Sequence, residues 1–391
     1  WDRIIHLHPV GAERRSAVAA LHGSGREVVF DAYVETDMVQ YRRAREPREV
    51  ETRAYIAVNA RDDLDTLADV IRRHYSLGAV ERPRLLAATH QRRHRKLLVN
   101  TSAGKFLIKT YKRDPYILDA LRFQHRLSDH LAGKGLPVAR IQPAETGKRI
   151  VELDTWALEL QEFVEGDPMP VSSETLAISG EALGRFHEVC RDFPRPERDA
   201  RMWRFSEVPK QLFADLFERA KAEGDPEKAV QACNRIALFL HEAAGELSFE
   251  KRDRFETGLI HGDWHAGNLI FRDERLVAIV DLEFAGDGCF LEDLAYAISN
   301  LCIRTTTRPE RLAKRTERLL MHYQRHRTLS FYELAALYYA VGIKHVATVS
   351  YQMPQQNDRV AGLTAPEWME HLAVQCEWLR ECAQKIRQGK R

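Results

Sequence analysis

The sequence predicts an α+β chain of two lobes, a small lobe on an antiparallel sheet and a larger helical lobe, with an extra α+β segment in front. Three observations carry this. Short β-branched and aromatic runs separated by turn residues concentrate between residues 83 and 163. From about residue 170 apolar positions recur at helical spacing almost to the end. One polar, glycine-containing stretch, Gly258 to Val280, interrupts those helices with a strand pair. The expected division is 1–80 for the accessory segment, 81–165 for the sheet lobe and 166–391 for the helical lobe. Such a plan suits ligand binding in a cleft between lobes.

Taken in order, Val28–Val34 and Arg53–Val58 read as strands on either side of the charged run Arg42–Glu49. A helix is expected from about Asp62 to Tyr75, with Leu64, Leu67, Ala68 and Ile71 on one face and Gly78 as its stop. Leu85–Ala88, Lys96–Asn100 and Phe106–Tyr111 form an antiparallel meander, turning at Gln91–His94 and Ser102–Gly104. The stripe Leu118, Leu121, Leu127, Leu131 predicts a helix over 115–132, ended by Gly133-Lys134-Gly135-Leu136-Pro137. Strands follow near Arg149–Leu153 and Trp156–Phe163. Beyond them helices are expected to about Cys190 and over 209–222, 226–247, 291–302, 308–325, 331–349 and 366–387. Leu269–Phe271 and Leu276–Val280, separated by Asp273-Glu274, read as a hairpin.

Composition narrows the function classes. The 391 residues, 44% hydrophobic and 30% charged, describe an ordinary globular chain, neither disordered nor rod-like. A net charge of +2 provides no general field for nucleic acid or anionic lipid, and the basic runs lack interleaved aromatics. Neither nucleic acid nor membrane is an expected partner. The six cysteines form no CxxC pair and read as reduced thiols of a cytoplasmic protein. The longest apolar run, Leu334–Ile343, is far short of the ~20 residues of a membrane span. The chain begins at Trp1, so its native start is expected upstream.

The chemistry concentrates in Leu259–Phe271 and Val280–Phe284. Asp263 and Asn268 stand five apart in a glycine-containing loop, and Asp281 ends the following strand. A hairpin would return Asp281 towards Asn268, giving a carboxylate and an amide oxygen suited to Mg²⁺. Asp263 is placed to accept a proton from a substrate hydroxyl.

His261, Asp263, Asn268 and Asp281 match the H-x-D-x-x-x-x-N catalytic loop and metal aspartate of kinases. The His261-Gly262-Asp263 form resembles the aminoglycoside phosphotransferase and choline kinase family. Phe106-Leu107-Ile108-Lys109 resembles its ATP-lysine strand, Gly135–Val138 the turn after its first helix, and Glu162–Gly166 its inter-lobe hinge. Ala182–His187 and Glu292–Ala295 resemble two of its helix phrases. The likeness spans about residues 81–391.

The resemblance implies a bilobal protein-kinase-like fold and an ATP- and Mg²⁺-dependent transfer of a phosphoryl group to a hydroxyl of an amino alcohol, sugar, amino acid or antibiotic. It implies Asp263 as base, Asn268 and Asp281 as metal ligands, and Lys109 on the phosphates. Glu162 and Val164 would meet adenine, and His261 and Asp293 would brace the loop. Trp264, His265 and Glu283 are candidates for substrate or metal contact. The glutamate that normally holds the lysine corresponds to Gln124 here, with Asp119 or Glu145 as substitutes, and the phosphate loop Gln91–His94 lacks glycine. Alternative readings are a protein serine/threonine kinase of the bacterial stress response type and a nucleotide-binding pseudokinase. Oligomeric state is left open.

Overall fold

A computed structural model describes residues 4–6, 64–86, 96–194, 207–304, 306–356 and 359–389. The expected strands at 28–34 and 53–58, the basic run 42–49 and the loop 91–94 lie outside the described residues. The chain forms two compact units. One holds the described residues up to 167 other than 4–6, together with 277–283; the other holds 4–6, 168–276 and 284–389.

The first unit is an antiparallel sheet between two helices. Its strand order is Arg84–Leu85, Lys96–Thr101, Gly104–Lys112, Trp156–Glu162 and Ile141–Gln142, with Val151–Glu152 also on Trp156–Glu162. Thr101 pairs with Gly104 across a tight hairpin, and Gly104 takes a φ of 134° that a side chain disfavours. Strand alternation then sorts the two faces. Leu97, Val99, Phe106, Ile108, Leu158 and Leu160 share a core with Leu67, Ile71 and Tyr75 of the Leu64–His74 helix region. The opposite face carries Lys96, Lys109 and Glu159, which the register sets side by side across three strands. Tyr111 and Ala157 of this face pack on Leu118 and Leu121 of the Pro115–Gly133 helix. Asp114 caps that helix by accepting from the Tyr116 and Ile117 N–H groups.

The second unit is helical. Ser173–Val189, capped by Ser172, packs against Pro309–Tyr323. Lys210–Glu223, Pro226–Glu246, Phe331–Gln352 and Ala365–Arg387 build the rest of its core. These bounds lie within a few residues of those the spacing predicts. The expected 291–302 helix differs: Phe290–Ile298 is α-helical, and Ser299–Ile303 widens into a π-helix. Ile4–His6 pairs antiparallel with Glu207–Pro209, and Thr257–Ile260 with Gly286–Cys289. The expected hairpin is present as Leu269–Arg272 and Arg275–Ile279, turned by Asp273 and Glu274, both at positive φ. The chain passes to the sheet unit within the second of these strands and returns after Glu283. Among the described residues no helix is long and apolar enough to cross a membrane.

Candidate active site

In the helical unit the loop after Thr257–Ile260 is built around a buried carboxylate. Asp293, near the start of Phe290–Ile298, accepts from the His261 N–H at 2.7 Å and the Gly262 N–H at 2.9 Å. Gly262 has a φ of 79°, and a Cβ there would stand 2.7 Å from the Phe284 carbonyl oxygen. Only glycine turns the chain at this point. His187 Nε2 lies 3.1 Å from Asp293, and its Nδ1 lies 2.9 Å from the Tyr323 hydroxyl. His261 Nδ1 accepts from the Asp263 N–H at 3.2 Å. Asp293 thus holds the loop backbone at His261 and Gly262, and His261 holds it at Asp263.

Asp263 gathers donors on both oxygens. Tyr296 O–H donates to Oδ1 at 2.8 Å; Asn268 Nδ2 donates to Oδ2 at 3.1 Å and to the Asp263 carbonyl at 2.9 Å. His265 Nδ1 accepts from the Gly267 N–H at 3.0 Å, which leaves its Nε2, 3.4 Å from Asp263 Oδ2, as the protonated nitrogen. Burial would raise the Asp263 pKa, but His265, Tyr296 and His261 more than offset it and hold the carboxyl below its ordinary value. It is an ionised acceptor at neutral pH. Trp264 was a candidate for substrate contact. It is instead fully buried against Phe186, with its indole N–H on Ser179 Oγ at 3.0 Å, because the loop's apolar side faces the Ser173–Val189 helix.

In the sheet unit a second constellation forms on the charged face. Lys96 Nζ lies 2.9 Å from Asp281 Oδ2. Lys109 Nζ stands 4.0 Å from Glu159 Oε1, and both side chains are buried. Tyr111 O–H donates to Glu159 at 3.0 Å, and His125 Nε2 meets it at 2.6 Å. Burial works against a charged Lys109, yet Asp281, Glu159 and Glu283 raise its pKa above the ordinary value. Glu283 thus acts on the lysine through its charge.

The acid beside Lys109 is therefore Glu159, not the helix position Gln124 nor the substitutes Asp119 and Glu145. Gln124 instead walls a cavity of about 20 Å³ shared with His125, Glu159 and Asp281. Glu145 hydrogen-bonds Ser76. Glu159 was missed because its tie to Lys109 is cross-strand; its signal was an acid at an inward-facing position of an apolar strand. Glu162 ends its strand, donating its N–H to the Arg140 carbonyl at 2.8 Å, and Val164 follows two residues on.

Asn268 turns its NH₂ to Asp263, so its amide oxygen points the other way. Asp281 is a carboxylate kept beside a lysine and strained at a φ of 68°. Hard oxygen donors of this kind fit a hard divalent cation. Among the described residues no group of three or more His, Cys, Asp or Glu forms a metal cage.

The profile of the phosphotransferase enzyme family matches residues 84–329. Homoserine kinase of Nitrobacter hamburgensis is 29% identical over 243 residues, covering 61% of this chain and 69% of that protein. Among solved structures, an aminoglycoside phosphotransferase from Alicyclobacillus acidocaldarius aligns with a TM-score of 0.62 at 17% identity, over 82% of this chain and 95% of that one. A microcompartment-associated aminopropanol kinase aligns at 0.56 and 18% identity, over 82% and 99%.

Proposed function

Because this chain belongs to the phosphotransferase enzyme family, we propose that it moves the γ-phosphoryl group of ATP to a hydroxyl of a small molecule with Asp263 as the base. The observation that carries this reading is the state of Asp263: ionised, fixed by Tyr296, Asn268 and His265, and presented on a loop whose backbone Asp293 clamps. Such a carboxylate accepts the acceptor's hydroxyl proton as its oxygen bonds to phosphorus. The bond from phosphorus to the bridging oxygen breaks, and ADP leaves. Lys109, kept charged by neighbouring carboxylates, neutralises phosphate oxygens. Glu162, which ends a central strand, and Val164, two residues beyond it, offer backbone groups to adenine. Asn268 and Asp281 are the residues to hold magnesium, which when bound spreads phosphate charge. The homoserine kinase relatives favour an amino acid as acceptor.

The test is phosphate transfer to an acceptor panel by wild type and Asp263→Asn. We expect a fall in kcat of about 1,000-fold with ATP affinity changed less than about threefold. An Asn variant as active as wild type would overturn the role of Asp263.

A further inference from the structure

Past Tyr296 the helix widens into the π-helical turn Ser299–Ile303 and ends at Arg304. A π-turn is rare and forfeits regular helix bonds, so it persists where neighbours hold it. Here a buried network does so. Gln375 Nε2 donates to the Ile303 carbonyl at 2.6 Å and the Thr306 carbonyl at 2.9 Å. His345 bridges Gln375 Oε1 at 3.0 Å and Ser299 Oγ at 3.2 Å. Asn300 Nδ2 donates to the Tyr296 carbonyl at 3.0 Å. Arg304 therefore leaves the helix from a fixed place.

The environment of Arg304 is unusual for a half-buried guanidinium. Its Nη1 donates to Asn300 Oδ1 at 3.1 Å, and its Nη2 donates to Gln352 Oε1. Both partners are neutral amides, and among the described residues no carboxylate pairs with it. Burial lowers its pKa, and only the Tyr296 hydroxyl works the other way. Arg327, the comparable buried arginine of this unit, has both Glu256 and Glu333. A guanidinium withdrawn from water without an anion is costly, and two amide oxygens leave donors of its five N–H groups for a ligand.

Its position points to what that ligand is. Tyr296 O–H donates to the proposed base, and the Arg304 charge is felt at that hydroxyl. Tyr296, Asn300 and Arg304 thus form a line leading from Asp263 to a cation that among the described residues meets only amides. We infer that Arg304 binds a carboxylate of the phosphate acceptor, so that the substrate class is small hydroxy acids, amino acids among them, and not uncharged or purely cationic alcohols. The inference rests on the phosphotransferase reading above. Arg304 is a specificity-determining residue: planar, bidentate recognition of the carboxylate sets the hydroxyl at Asp263.

The experiment measures phosphate transfer with matched pairs differing by the carboxylate: L-homoserine against 3-aminopropan-1-ol, L-serine against ethanolamine, and D-glycerate against ethylene glycol. Wild type should favour the acid of its preferred pair by about 100-fold in kcat/KM. Arg304→Met should abolish that preference while the KM for ATP and the rate on the alcohol change less than about threefold, and Arg304→Lys should restore part of it. Wild type that favours the alcohol in every pair, or an Arg304→Met variant that loses both members equally, overturns the inference. If wild type transfers phosphate to none of them, the phosphotransfer reading fails on its own, and thermal shift by the same six compounds decides the anion site. Stabilisation by an acid that Arg304→Met loses supports it; stabilisation by no acid, or one kept in that variant, overturns it.

Discussion

At the residue scale the state of Lys109 depends on a partner that the pairing of two neighbouring strands makes inevitable. Lys109 sits opposite Glu159 in the register, and Glu159 is also held by Tyr111 and by His125 from the Pro115–Gly133 helix. Burial disfavours the carboxylate of Glu159, but His125, Lys109 and Tyr111 together keep its pKa below the ordinary value. The pair is thus ionised inside the sheet unit, with one link to a helix. Removing the acid leaves a buried ammonium with less to balance it. Glu159→Gln is expected to raise the KM for ATP about tenfold and to lower kcat, seen in initial rates over an ATP series. Kinetics equal to wild type would show that Lys109 needs no acid. Lys109 was legible because a basic residue ends an apolar run; Glu159 was not, since sequence distance says nothing about which strands become neighbours.

At the element scale, two helices approach until backbone meets backbone. A Cβ on Gly180 would stand 2.3 Å from the Leu319 carbonyl oxygen, and one on Gly184 2.6 Å from that of Tyr323. This closeness matters to the loop, since the same helix supplies Ser179 to Trp264 and His187 to Asp293. Gly180→Ala must push Pro309–Tyr323 away, and overpacking of this kind costs about 2 kcal/mol. Urea denaturation should show the lower midpoint, and an unchanged midpoint would mean that the helices separate freely. The helix itself follows from capping and periodicity. That its glycines serve close approach could not be read from the sequence, because the partner helix lies more than a hundred residues away.

At the scale of the whole molecule, buried histidines tie stability to pH. His345, fully buried between Ser299 and Gln375, has its pKa lowered to about 3, chiefly by burial. The unfolded chain takes up this proton near pH 6.5 while the folded one does not, so its contribution is complete above 6.5 and is lost as pH falls. His187, lowered mainly by burial, and Asp293, whose partners outweigh the burial that would raise it, act in the same direction. Between pH 7 and 5 His345 alone removes about 2 kcal/mol. Denaturation at the two pH values should show a smaller loss in His345→Asn than in wild type; equal losses would place the acid sensitivity elsewhere.

The helices from Ser173 onward, the central strands of the sheet unit, the hairpin near residue 274 and the loop bearing His261, Asp263 and Asn268 could be read from sequence, because periodicity, turn residues and short-range spacing are local properties of the chain. The tertiary structure alone decided that Glu159 faces Lys109, that Trp264 is core, and that Arg304 stands half-buried on the amides of Asn300 and Gln352. Those outcomes depend on which distant segments share a dry interior, where an unmatched charge is costly and its neighbours determine its state.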